Sequence, residues 1–170
     1  WSSLEPDTFT NKLSIADKKK VRNFGFGGAS SEFRKKIFKN LLKKNKHQIY
    51  ATDLKIIYKQ VLENKFVSNK EKKNYFFYSL NPKKESVWPY SSPVRYIDSI
   101  AHGEIPVIFD DYKYIDSLSK NIALNCKKEN LNNLYKNRYK IKSQFTKKIK
   151  KISFLQQKKY FNFRKKILQI

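Results

Sequence analysis

The sequence predicts an α/β domain with a parallel sheet and helices on both faces, a three-layer α/β/α arrangement, followed by a helical extension. Segments rich in β-branched and aromatic residues alternate with amphipathic segments between residues 21 and 125, and this alternation is typical of parallel sheets. The run IPVIF at residues 105–109 is apolar throughout, as expected of a strand covered on both faces.

The elements follow in order along the chain. Strands are predicted at residues 21–26, 47–52, 74–80 and 105–109, with a last short strand at 121–125. Helices are predicted after Ser30 or Ser31, over residues 53–63, from Ser92 to Gly103 and over 112–118. Residues 64–73 are interpreted as a basic surface connection. From Leu131 onward, apolar residues recur mostly three or four apart, which predicts long amphipathic helical structure.

Three parts of the chain differ in character. Residues 1–20 are polar and are predicted to be a linker or the end of a preceding domain. Residues 21–138 form the predicted α/β domain, and residues 139–170 a basic amphipathic helical extension. Because the chain begins at Trp1 and contains no methionine, we expect it to be a piece of a longer protein.

The first candidate site is a glycine loop between the first strand and its helix. Gly25, Gly27 and Gly28 precede a serine that can cap the helix, and Arg34 lies in the first helical turn. Free backbone N–H groups and a helix N-terminus favour a phosphate at such a place. The spacing matches neither the Walker pattern nor G-x-G-x-x-G. A tight β–α turn with a solvated Arg34 is the alternative.

The second candidate site follows from residues 81–111. Serine and proline at 92–93 can start a helix, and Gly103 is placed to end it. Ligands of open α/β sheets bind beyond the carboxyl ends of the strands. This places Asp110, directly after the predicted strand 105–109, near any site of the domain. Capping of the next helix by Asp110 or Asp111 is the alternative.

These two segments, FGFGGASSEFRKKIF and SSPVRYIDSIAHGEIPVIFDD, resemble the C-terminal, nucleotide-sugar-binding domain of GT-B type glycosyltransferases, with an exostosin-like or group 1 flavour. The resemblance covers about residues 21–138 and implies a Rossmann-like domain that is half of a GT-B fold. It implies that Gly27, Gly28 and Arg34 hold the donor diphosphate. It also implies that Asp98 binds the ribose hydroxyls and that Arg95, one turn earlier, faces the same cleft. The alternative is an Arg95–Asp98 ion pair on a solvated helix face.

The resemblance leaves the catalytic residue unknown. Retaining relatives carry an E-x7-E pair; its second glutamate falls at Asp98, but its first falls at Tyr90, and Glu85 is out of register. Retaining or inverting chemistry therefore stays open. The acceptor domain of the GT-B fold is missing from this chain, so we expect donor binding with little or no catalysis. The implied donor is a nucleotide diphosphate-sugar, the implied acceptor a polysaccharide, lipid or protein, and no metal is required.

Charge and composition limit the alternatives. The net charge is +24, which favours polyanionic partners, but the positive residues are almost all lysine. A basic nucleic-acid-binding module without catalysis is the alternative function, although no known nucleic-acid-binding motif is present. Two histidines and the single Cys126 argue against a structural zinc site and exclude an internal disulfide.

The extension at 139–170 has three interpretations. We expect it to pack on the missing N-terminal domain, to lie on an anionic membrane surface, or to bind nucleic acid, in that order of preference. No run of about 20 apolar residues indicates a membrane span. The expected location is the cytoplasm, with peripheral contact at the inner membrane face as a further option.

Overall fold

The computed structural model describes residues 22–28, 31–44, 49–51, 66–68, 76–88, 93–109, 117–126 and 130–168. The predicted helix at 53–63 and the candidate residue Asp110 lie outside these ranges. The strands are β1 (Arg22–Phe26), β2 (Ile49–Ala51), β3 (Phe66–Ser68), β4 (Phe76–Asn81), β5 (Ile105–Ile108) and β6 (Leu124–Asn125). The helices are α1 (Glu32–Lys44), α2 (Pro93–Ala101), α3 (Ser117–Ile122), α4 (Leu131–Lys136) and α5 (Arg138–Leu168).

The strands form one sheet in the order β3-β2-β1-β4-β5-β6. Every neighbouring pair is parallel. This is the strand order of doubly wound, Rossmann-type domains, in which the chain first builds outward from one central strand and then returns to the other side of it. The predicted α/β class and parallel sheet are thereby confirmed.

Several element boundaries differ from the prediction. Residues 66–68 are a strand inside the segment interpreted as a surface connection; three residues flanked by lysine and asparagine carry too weak a pattern to be recognised. Gly25 belongs to β1 rather than to the glycine loop. Of the predicted helix at 112–118, residues 117 and 118 belong to α3, which continues to Ile122, and residues 112–116 lie outside the described ranges. The helical segment from Leu131 is interrupted at Asn137, which caps α4.

In the described part of the chain, a hydrophobic core joins the sheet to the C-terminal helices. Tyr78 on β4 is fully buried, and its ring stacks on Phe24 of β1 with the centroids 5.4 Å apart. The Tyr78 hydroxyl donates a hydrogen bond to the Leu134 carbonyl at 2.8 Å. Phe145 and Ile149 of α5 also belong to this core, so the first half of the extension packs on the α/β domain.

Helix α2 ends as the sequence predicts. Gly103 has the left-handed value φ = 78°, and its N–H donates to the Ile100 carbonyl at 2.8 Å. The Glu104 N–H donates to the Ser99 carbonyl at 2.9 Å. Such bonds satisfy the last carbonyls of a helix and turn the chain directly into β5. No helix in the described part of the chain has both the length and the apolar character needed to cross a membrane.

Candidate functional site

The candidate site lies between β1 and β4, where the chain changes the direction in which it adds strands to the sheet. The chain leaves β1 toward β2 on one side and leaves β4 toward β5 on the other. In open α/β sheets this divergence leaves a crevice at the carboxyl ends of the two strands, where ligands bind. The loop after Phe26 and the loop after Asn81 extend from these carboxyl ends, so both sequence-predicted segments meet at the place where such sheets have their crevice.

Arg34 connects α1 to the loop after β4. Its side chain is buried, with 5% exposure, and its Nε donates a hydrogen bond to the Pro82 carbonyl at 3.1 Å. The main-chain N–H of Arg34 donates to the Ser31 hydroxyl at 3.2 Å, so Ser31 acts as the helix cap. This burial contradicts the alternative interpretation, in which the Arg34 side chain is solvated.

Arg95 makes the opposite connection, from α2 to the loop after β1. Its Nη2 donates a hydrogen bond to the Gly27 carbonyl. Gly28 has φ = 138°, and a Cβ added there would lie 2.9 Å from Arg95 Nη2. Glycine at 28 therefore serves two needs: a backbone conformation that side chains disfavour, and room for the guanidinium.

The two guanidinium groups converge on one aromatic ring. Arg34 Cζ lies 5.4 Å and Arg95 Cζ 5.7 Å from the centroid of Phe26, the last residue of β1. Burial, and then the positive charge of Arg34, lower the pKa of the Arg95 guanidinium to about 10. A guanidinium with this pKa is protonated at neutral pH, so Arg95 brings a positive charge close to that of Arg34 in a partly desolvated place.

The loop after β4 is fastened to the start of α1. The Ser31 hydroxyl donates to the Lys84 carbonyl, next to the Arg34–Pro82 bond. Lys83 Nζ donates to the carbonyls of Ser86 and Trp88 at 3.0 and 2.6 Å, which closes this loop on itself. Trp88 is exposed, at the end of the described loop. These bonds fix the backbone on both sides of the crevice.

Asp98 lies on the exposed surface of α2, unlike the other predicted ligands that the structure describes. Its carboxylate is exposed and lies 3.5 Å from His102 Nδ1, and the His102 ring also contacts the Asp98 carbonyl at 2.8 Å. Its negative charge still acts on Arg95, whose pKa it raises slightly against the larger effect of burial. The structure thus brings together Gly27, Gly28, Arg34 and Arg95, and it leaves Asp98 on the open surface of α2.

A partly buried carboxyl lies at the opposite end of the sheet. Glu104 precedes β5, and its Oε1 accepts a hydrogen bond from the Phe76 N–H at 3.3 Å. Burial raises the pKa of the Glu104 carboxyl to about 8. The described residues contain no group of three or more His, Cys, Asp or Glu side chains placed to hold a metal ion.

Sequence reasoning missed two parts of the site. The first is the Phe26 ring, which both guanidinium groups contact. The second is the Pro82 carbonyl, which accepts a hydrogen bond from Arg34. An aromatic residue directly before the glycine pair was a visible signal, because cations favour the faces of such rings. The Pro82 carbonyl could not be predicted as a partner of Arg34, because every residue has a main-chain carbonyl.

Comparisons with protein-family models, with curated proteins and with solved structures found no match for this chain. The chemical interpretation of the site therefore depends on its own geometry. Two clustered guanidiniums, a glycine loop and a helix N-terminus together favour an oxyanion with several oxygens, such as a phosphate or diphosphate.

Proposed function

We propose that this chain is the donor-binding half of a glycosyltransferase and that it holds a nucleotide diphosphate-sugar in the crevice between β1 and β4. The observation that carries the proposal is the convergence of Arg34 and Arg95 on Phe26 at the topological switch point. Two like charges that approach each other in a partly dry crevice repel, and a bound dianion relieves this repulsion.

The choice of a diphosphate follows from the number and kind of donors. Arginine presents several N–H groups in a fixed plane and pairs with phosphate oxygens in a bidentate way. Two arginines that extend from two different helices are suited to two linked phosphates rather than to one carboxylate. Backbone N–H groups around Gly27 and Gly28 and the start of α1 would add neutral donors.

The choice of a sugar donor depends on the resemblance of residues 21–138 to GT-B donor domains. In glycosyl transfer the bond between the anomeric carbon and the diphosphate oxygen breaks, while the acceptor hydroxyl bonds to that carbon and loses its proton. Negative charge then accumulates on the leaving diphosphate. Arg34 and Arg95 would stabilise this charge through fixed, partly buried donors. The group that removes the acceptor proton is not assigned to this chain.

Isothermal titration with UDP, GDP and a panel of their sugar conjugates tests the proposal. We expect at least one nucleoside diphosphate to bind, and Arg95→Gln to weaken it about tenfold or more, since a hydrogen bond to a charged group contributes roughly 1.5–3 kcal/mol. Arg138→Gln is the matched control. Its guanidinium also lies over aromatic rings, 4.3 Å from Tyr135 and 4.7 Å from Tyr139, but on α5.

Asp98→Asn separates the ribose contact from the diphosphate contact. If Asp98 binds the ribose, the variant loses affinity for UDP or GDP but keeps its affinity for inorganic pyrophosphate. The donor-site proposal fails if no nucleoside diphosphate binds, or if Arg138→Gln and Arg95→Gln weaken binding equally.

A basic nucleic-acid-binding module is the second candidate, favoured by the net charge of +24. Gel-shift titrations at several salt concentrations distinguish the two. A steep salt dependence with unchanged affinity in Arg95→Gln would favour the nucleic-acid module, whereas a loss confined to nucleoside diphosphates would favour the donor site.

A further inference from the structure

Helix α5 presents a stripe of exposed residues that no part of the described structure covers. Lys147, Lys151, Phe154 and Lys158 are all exposed, and their spacing of four, three and four residues places them along one side of a helix. Phe154 has 65% exposure, and the adjacent Leu155 has 47%. Large apolar side chains therefore stand in water among lysines.

The other side of the same helix is fixed in the core. Phe145 and Ile149 are buried, with 4% and 5% exposure, and Ser153 is buried one turn further on. Because these residues hold α5 against the domain, the helix cannot rotate to hide Phe154. The exposed stripe is directed outward over this whole stretch.

The charge of α5 has one sign. Residues Arg138–Leu168 contain twelve Lys and Arg residues and no Asp or Glu. Ordinary surface helices mix both signs, which stabilises them through pairs at i,i+4. A helix with only positive side chains lacks such pairs, so its charge complements an extended negative surface outside the chain.

We propose that the outward stripe of α5, defined as Lys147, Lys151, Phe154, Leu155 and Lys158, docks on the surface of an anionic lipid bilayer. Lysines beside an apolar side chain fit such a surface: the ammonium groups meet the anionic headgroups, and Phe154 and Leu155 enter the acyl boundary. A nucleic acid would satisfy the lysines and could stack on Phe154. It offers no apolar phase to the aliphatic Leu155.

Vesicle co-sedimentation of the full chain tests the proposal. We expect binding to vesicles that contain phosphatidylglycerol and much weaker binding to vesicles of pure phosphatidylcholine. The triple variant Lys147→Gln, Lys151→Gln, Lys158→Gln should lower the partition coefficient about 100-fold, since each basic residue near an anionic surface contributes about a fivefold factor. Phe154→Ser should lower it about tenfold or more.

Matched variants separate the stripe from net charge. Lys36, Lys39 and Lys43 are exposed on α1, so replacing them with Gln removes the same charge from another helix, and this control should keep most of the binding. Val94 has 72% exposure on α2, and Val94→Ser is the control for Phe154→Ser. Circular dichroism verifies that each variant is folded.

The depth to which residue 154 enters the bilayer is measured with the variant Phe154→Trp. In this variant the two native tryptophans are changed to Phe, so that the new tryptophan is the sole source of the signal. We expect its emission to shift to the blue on anionic vesicles and to be quenched by brominated lipids. The proposal is overturned if the α1 variant loses as much binding as the α5 variant, or if Trp at 154 stays in water on bound vesicles. It is also overturned if single-stranded RNA binds the stripe while anionic vesicles do not.

Discussion

Arg95 and Gly28 are matched to each other, because the guanidinium of one occupies the space in which the other would carry a side chain. A Cβ at position 28 would lie 2.9 Å from Arg95 Nη2 and 3.3 Å from Cζ. Since the Arg95 group also bonds the Gly27 carbonyl, the glycine pair and the arginine form one unit. Any change at Gly28 is therefore a change in the position of a positive charge.

Gly28→Ala should weaken binding of a nucleoside diphosphate and should also destabilise the fold. The new methyl displaces the Arg95 guanidinium, and we expect about a tenfold loss of affinity together with a destabilisation of about 1–2 kcal/mol from the positive φ. Gly103→Ala is the control, since Gly103 also has a left-handed φ, of 78°, but ends α2 away from the crevice. Equal losses of affinity in both variants would contradict the specific role of Gly28.

Glu104 should make stability depend on pH. Its pKa is raised from 4.5 to about 8, mainly by burial, so between these values the folded protein keeps a proton that the unfolded chain releases. The unfolding free energy then falls as pH rises from about 4.5 to about 8. Glu104→Gln keeps an acceptor for the Phe76 N–H but does not titrate. Thermal or urea unfolding should show the variant close to wild type at pH 4 and more stable at pH 8, by on the order of 4 kcal/mol, since one pKa unit corresponds to about 1.4 kcal/mol.

The comparison of Glu104→Gln with wild type at two pH values cancels the other titrating groups to first order, because both proteins share them. An equal difference at pH 4 and pH 8 would mean that the Glu104 carboxyl does not titrate in this window.

Gly25→Ala should destabilise the sheet. A Cβ at Gly25 would overlap the ring of Phe76 on the neighbouring strand, and Phe76 is buried with 5% exposure. Overpacking of this kind costs roughly 1–3 kcal/mol. Adding Phe76→Val should recover part of the loss, because the smaller side chain vacates that space. Additive effects in a double-mutant cycle measured by urea unfolding would argue against the overlap.

Tyr78→Phe tests whether α4 belongs to the same cooperative unit as the sheet. The variant leaves the buried Leu134 carbonyl without the donor at 2.8 Å, and we expect a loss of about 1–3 kcal/mol in unfolding free energy. One transition, monitored by both far-ultraviolet dichroism and tyrosine fluorescence, should move as a whole. A separate early transition would mean that the helices after residue 130 unfold independently.

The sequence predicted the class and central elements of the fold because their signals are local. The buried run in β5, the Ser-Pro start of α2 and the left-handed Gly103 each have a physical cause within a few residues. Strand β3 was missed because three residues cannot show a period. The role of Gly25 was missed because its reason is the Phe76 ring, a partner 51 positions away across the β1–β4 pair.

The residue types of the candidate site could be predicted from the sequence, but the contacts between these residues could not. Arg34, Arg95 and the glycine pair were recognised from motifs, whereas the crossing of each arginine to the other loop depends on the sheet order. Asp98 was expected beside Arg95 in the crevice from the family resemblance, to which the one-turn spacing added support. The structure places its carboxylate near His102 instead, because i,i+4 neighbours on a helix compete with i,i+3 neighbours for the same side chain.

The carbonyls of Pro82 and Gly27 would compete with a bound anion for the donors of the two arginines. Before any anion arrives, Arg34 and Arg95 already donate to the carbonyls of Pro82 and Gly27, and those bonds hold the two loops together. An anion that took these same N–H groups would displace the carbonyls, and the cost of opening would reduce its apparent affinity. Each guanidinium has further N–H groups, and an anion bound through those would leave the carbonyl bonds intact. Under the proposed function, a variant that strengthened the bonds between the two loops would therefore bind its ligand less tightly wherever the ligand takes these same donors.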